Sequence, residues 1–326
     1  MKNSLPGVGS ASVNPSNKQP DNWFVNWIHA WDRFWFLSEL PHTLAIIRMA
    51  TGLMLVYMHA IWLSCIHDFM GPHAWINRDT IRQLHSHDWT WSWLWYVDST
   101  PWLVIHECLA ILFGLAMAIG LLTRLAVPLA WWFSLMVCHR MTGALFGLDQ
   151  VVLMLASYLI IARSGSVWSL DARITQRRGT SWLFPSADAC IGNNIATRLI
   201  QIHLCVIYLF GGISKMRGEA WWNGSALWFA AVNYEYQSWD ITWIGRSPWL
   251  VSGLTMATLF WETFYCALIW PRLTRPICLA MALLVHGGIA IALGMITFGT
   301  MMMVANFSFV PPNSLLARLG ADRTDA

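Results

Sequence analysis

The chain has 326 residues, of which 56% are hydrophobic and 11% charged, with a mean hydropathy of +0.48 and a formal net charge of +3 at pH 7. Soluble globular domains carry about 25% charged residues, so a chain this poor in charge could not cover a water-facing surface. That balance excludes an ordinary soluble enzyme, and the small net charge excludes a nucleic-acid partner. The 23 tryptophans suit two membrane interfaces, where an indole has an apolar and a polar side. Together these predict an all-α integral membrane protein whose first partner is the lipid bilayer.

Residues 1–22 are rich in Ser, Asn, Pro and Gly and predict a disordered cytoplasmic tail without the apolar stretch of a signal peptide. Trp23, Trp27, Trp31 and Trp35 then recur every four residues around Asp32 and Arg33. That stripe predicts an interfacial amphipathic helix over 23–40. Apolar runs long enough to span a bilayer follow at about 42–64, 101–122, 125–145, 147–162, 195–213, 248–270, 276–294 and 295–310. Residues 41–310 therefore read as a domain of about eight transmembrane helices, and 311–326 as a second cytoplasmic tail. The cysteines include no C-x-x-C pair and mostly sit in apolar runs, where Cys behaves as a small hydrophobe.

Orientation follows from Lys and Arg. With the N-terminus inside, thirteen of the 20 basic residues fall on the inner side and six on the outer, with Arg48 within the first span. Both termini are expected in the cytoplasm, at a plasma or inner membrane, and the long loops 65–100 and 214–247 outside. Pro101-Trp102-Leu103-Val104 recurs as Pro248-Trp249-Leu250-Val251, and the same offset of 147 relates His139 to His286 and Gly147 to Gly294. This suggests a parallel repeat of two four-helix units about an axis along the membrane normal.

Arg48, His106, Glu107, His139, Arg140, Asp149, His203, Lys215, Glu262 and His286 fall within or at the ends of these spans. A charge near the bilayer centre costs about 2.5–3.5 kcal/mol on the insertion scale, so such residues face the bundle interior or line a cavity. Taken singly, each has a plain reading. Arg140 and Lys215 could snorkel, a histidine could bond a neighbouring helix, and Asp149 could sit at the positive end of a helix. Taken together, they point to a polar interior site. Trp168-Ser169-Leu170-Asp171 reads as an interfacial Trp followed by a turn. The segment from Tyr208 to Gly224 places Lys215 just past Gly211-Gly212 and before Trp221-Trp222, at the mouth of the bundle. That makes Lys215 a candidate base or nucleophile.

The G-x-x-K-M and W-W-N-G runs resemble the horizontally transferred transmembrane (HTTM) family, as do W-S-L-D and His286, Gly294, Met295 and Phe298. The likeness extends over about 40–310. Its best-known member is the vitamin K-dependent γ-carboxylase. The resemblance implies a carbon–carbon lyase type of enzyme in which Lys215 deprotonates a reduced quinone of the vitamin K type, and whose substrate is an exported peptide. His139, Asp149, His203, Trp221, Trp222, Glu262 and His286 are the candidate substrate and pocket residues; no metal is expected. Short members of the sporulation-delaying protein B type are nearer in length and imply an alternative, a non-catalytic membrane factor that binds or matures an exported peptide. A third reading needs no family: a cytochrome-b-like protein with His139, His203 and His286 as haem ligands.

Overall fold

A computed structural model of the chain describes residues 23–97 and 99–319; the tail expected over 1–22 lies outside them, as do residues 320–326. The described residues are helical, and their single β-bridge pairs Glu39 with Cys190. In chain order, α1 (Trp23–Phe36) precedes α2 (His42–Ser64), the short α3 (Ile66–Phe69) and α4 (Arg78–Leu84), α5 (Thr100–Ile119), α6 (Thr123–Arg140), α7 (Gly147–Leu159) and α8 (Leu170–Arg178). Then come α9 (Ile191–Lys215), the short α10 (Glu219–Trp222) and α11 (Ala226–Ala231), α12 (Pro248–Leu268), α13 (Arg275–Ala292), α14 (Ile296–Asn306) and α15 (Pro312–Leu319). Local chemistry sets several boundaries. Pro101, Pro248 and Pro276 occupy the first turns of α5, α12 and α13, where a missing N–H costs nothing. Gly120 closes α5 in the left-handed region, at φ 73°.

Each of the eight apolar runs lies on a helix, but only four helices among the described residues, α2, α5, α9 and α13, are long and apolar enough to cross a membrane. That is fewer than the eight expected. α7 and α14 have 13 and 11 residues. At 1.5 Å per residue they reach about 20 and 17 Å, short of a hydrocarbon core of about 30 Å. Arg124, Pro128, His139 and Arg140 dilute α6, and Glu262 with several hydroxyl side chains dilutes α12. Residues 312–319, expected in a tail, form α15.

Contacts sort the helix ends into two groups. At one end, Arg48 near the start of α2 is fully buried. It donates to Met117 O and Ala118 O at the end of α5, and to Ser164 O and Trp168 O beyond α7, over 2.6–3.2 Å. Asp171 accepts from Leu122 N, Thr123 N and the Thr123 hydroxyl at 2.7–2.8 Å, capping the start of α6. In the W-S-L-D run Trp168 is exposed, as an interfacial Trp would be, while Asp171 is fully buried and ties the run to the start of α6. Glu39 meets Cys190 before α9, Thr43 donates to Val310 O after α14, and the Phe34 ring meets Trp270 after α12. At the other end, Ser92 donates to Met136 O near the end of α6, and Ser238 N to Ala292 O at the end of α13. Consecutive long helices thus alternate in direction.

α2 packs most closely on α5. A Cβ on Gly52 would fall 2.6 Å from Ala118 N and 2.9 Å from Gly114 O, an approach that only glycine permits. α2, α5, α6 and α7 have 23, 20, 18 and 13 residues, and α9, α12, α13 and α14 have 25, 21, 18 and 11. α7 packs on α14, and each also packs on the first helix of the other set, α7 on α9 and α14 on α2. The offset of 147 does not match the third helices, however. His139 is the penultimate residue of α6, whereas His286 stands six residues before the end of α13.

Candidate functional site

Close helix packing builds the site around Lys215. A Cβ on Gly212 would lie 2.6 Å from Thr263 Oγ1 and 2.9 Å from Thr263 N, so the last turn of α9 lies directly on α12. This approach brings Lys215, one turn beyond Gly212, to Glu262, the residue before Thr263. Their Nζ and Oε2 are 2.5 Å apart, with side chains 29% and 10% exposed. Gly211 faces the pair, and a Cβ there would make only ordinary contact, 3.6 Å from Glu262 Oε2 and 3.8 Å from Nζ. The ammonium also stands over the Trp221 ring, 5.4 Å from its centroid.

Deeper in the same set of helices lies a buried polar chain. Tyr265 Oη donates to Asn306 Oδ1 at 2.7 Å, and Asn306 Nδ2 donates to Tyr208 Oη at 2.7 Å and to Met302 O at 2.9 Å. Tyr208 Oη and His286 Nε2 are 2.7 Å apart. Asn306 donates to the tyrosine oxygen, so the Tyr208 hydroxyl is free to donate to Nε2, which leaves the imidazole proton on Nδ1. That Nδ1 is buried and makes no hydrogen bond. Trp261 and Phe298 flank the imidazole at 6.2 and 6.0 Å between ring centroids. Lys215 lies within electrostatic reach of His286, and Glu262 within reach of Tyr208.

Of the residues singled out from sequence, Lys215, Glu262, Trp221 and His286 come together in this region. The others do not. Trp222 is 60% exposed and donates its indole N–H to Met216 O, closing the end of α9. Asp149 accepts from Phe146 N at 2.9 Å and so fastens the start of α7, as the helix-terminus reading holds. His139 Nδ1 sits 2.7 Å from Trp91 O, and His203 Nδ1 sits 2.9 Å from Tyr158 Oη. His139, His203 and His286 therefore each have a different partner, which does not favour a haem shared between two of them. Among the described residues no group of three His, Cys, Asp or Glu is placed to hold a metal ion.

Sequence reasoning passes over Tyr208, Tyr265 and Asn306, because uncharged polar side chains inside apolar runs give no alarm. It also passes over His59 and Ser134, although His59 is an ionisable residue within the first span and could have been found on that ground. The larger surface cavities lie away from Lys215, one lined by Trp168, Ser169 and Arg173 and another by Arg124, Arg163 and Trp182. No protein-family model matches the chain, and no curated protein or solved structure matches it either.

Proposed function

We propose that the chain is a multi-pass membrane enzyme that abstracts a proton with Lys215, and that its eight alternating helices cross the bilayer as two parallel four-helix units. The observation that carries the catalytic reading is the pairing of Lys215 with Glu262 beside Trp221, at the end of the bundle where the two long loops sit. Shift of one proton from Nζ to Oε2 converts the ion pair into an amine and a carboxylic acid, with no change in net charge. In a low-dielectric site such a neutral pair avoids the desolvation cost of two ions. The amine lone pair then takes a proton from the substrate, and Glu262 holds the proton first released.

The residues present fit the polar end of the reduced quinone that the HTTM resemblance implies. Lys215 Nζ and the unpartnered His286 Nδ1 would hold its ring oxygens, and Trp221 would face the ring. Such a molecule supplies a weakly acidic hydroxyl. The loops flanking α10 and α11 would then receive an exported peptide, the substrate of a carboxylase-like lyase. The same ion pair also suits a structural role, which keeps the non-catalytic peptide-maturation factor as the second reading.

Lys215→Arg separates the two. Arginine can keep the ion pair with Glu262 but cannot give up its proton, having a reference pKa above about 12. The variant should reach the membrane at the level of the parent and lose the modification or maturation it performs, read by mass spectrometry of peptides encoded beside the gene. Full activity of Lys215→Arg would sink the base and leave the maturation factor.

A further inference from the structure

The first set of helices contains a polar cluster that the Lys215 reading does not use. His59 on α2 meets Glu107 on α5, Nδ1 to Oε2 at 2.7 Å, and Ser134 on α6, Nε2 to Oγ at 2.8 Å. The three residues are 2%, 0% and 4% exposed. We propose that His59, Glu107 and Ser134 form a proton-binding site that holds one exchangeable proton between imidazole and carboxylate.

The site's hydrogen bonds outnumber the protons of its neutral-histidine form. Ser134 Oγ stands 2.7 Å from Ala130 O as well as 2.8 Å from His59 Nε2, yet a hydroxyl has a single proton. With Glu107 ionised and His59 neutral, the one imidazole N–H points from Nδ1 to the carboxylate. Ser134 must then turn away from Ala130 O to serve Nε2, and the site keeps a whole negative charge among apolar side chains. One further proton removes both faults. Either an imidazolium donates to Glu107 and to Ser134, or a carboxylic acid donates to Nδ1 while Nε2–H donates to Ser134. In both forms Ser134 donates to Ala130 O, all three contacts are hydrogen bonds, and the trio is neutral. The two forms differ only in where the proton sits.

Two further observations separate this from a merely structural staple. Glu107 Oε1 is buried and has no hydrogen-bond partner, so the carboxyl group is not saturated by the fold. The cluster also occupies a place that the other four helices use in the same way. His59 and Tyr208 stand equally far from the first residues of their helices, His42 and Ile191, and Ser134 and His286 equally far from Thr123 and Arg275. There, too, the first and third helices are joined through a ring nitrogen, Tyr208 Oη to His286 Nε2. A cavity of about 10 Å³ touches His59 and Ser134, at the threshold of what a single water needs. Titratable groups within electrostatic reach of His59 or Glu107 include His106 on α5, Cys138 on α6 and Asp149 on α7.

The test reads the ring nitrogens directly. The full chain, labelled with ¹⁵N-histidine and reconstituted in lipid bilayers, is examined by solid-state NMR, which distinguishes protonated from bare nitrogens. Ser134→Ala removes one oxygen and assigns the His59 Nε2 signal as the one that moves; His59→Gln gives the same assignment should that variant fail to insert. Nε2 should be protonated in mildly acidic buffer and should convert reversibly to a bare nitrogen as the buffer is made alkaline. Lys215→Arg should leave this conversion unchanged, since the site is independent of the base. An Nε2 that is bare throughout, or protonated throughout without change, overturns the proposal.

Discussion

Arg48 shows how a buried charge can be structural. Its guanidinium reaches four backbone carbonyls, and Gly120 leaves the room it occupies: a Cβ there would lie 2.6 Å from Nη1. Arg48→Met should lower stability by about 3 kcal/mol or more, because carbonyls at the end of α5 lose donors they cannot replace from water. Lysine has a point charge in place of a planar fork, so Arg48→Lys should recover only part of the loss. Thermal unfolding in detergent measures both. At the candidate site, Glu262→Gln leaves the half-buried Lys215 without its counter-charge and should cost about 1–3 kcal/mol. Sequence singles out Lys215 and Glu262 separately but not as partners. Arg275, further along the chain from Glu262, is instead held by Ile269 O and Trp270 O.

At the scale of the element, the helices are the most legible feature, and their lengths are the least. The run expected over 147–162 becomes a helix ending at Leu159, and that expected over 195–213 extends to Ile191–Lys215. Hydropathy averages over a window, whereas caps and buried partners decide ends. Asp171, far along the chain, sets the start of α6, and Asn193, accepting from Arg163 N, braces the turns after α7. Glycine position carries similar weight. Gly52→Leu should drive α2 from α5 and destabilise by about 1–3 kcal/mol. Gly253→Ala, where a Cβ would meet nothing within 4 Å, should be neutral or gain up to about 1 kcal/mol from helix propensity. Equal losses from the two substitutions would contradict close packing of α2 on α5 as the cause.

For the whole molecule, the alternation of helices gathers one set of ends around Arg48 and Asp171 and the other beneath the two long loops. We expect the first group in the cytoplasm, on the thirteen-to-six distribution of basic residues. In a background free of native cysteine, an impermeant thiol reagent applied from outside should label a cysteine placed at residue 90 and spare one at residue 176. The reverse pattern would turn the whole bundle over.

Composition and apolar periodicity by themselves determined that the chain is helical, where its apolar helices fall, and that a lysine after paired glycines is singular. The reason is that burying so much apolar surface with so few charges leaves helices as the way to satisfy the backbone without water. Which polar residues meet was decided only by tertiary structure. Lys215 could have paired with any acid at its end of the bundle, and the approach of α9 to α12 at Gly212 selected Glu262. His59, Glu107 and Ser134 lie on three helices, and no spacing along the chain encodes their meeting; it follows from the register in which α2, α5 and α6 pack.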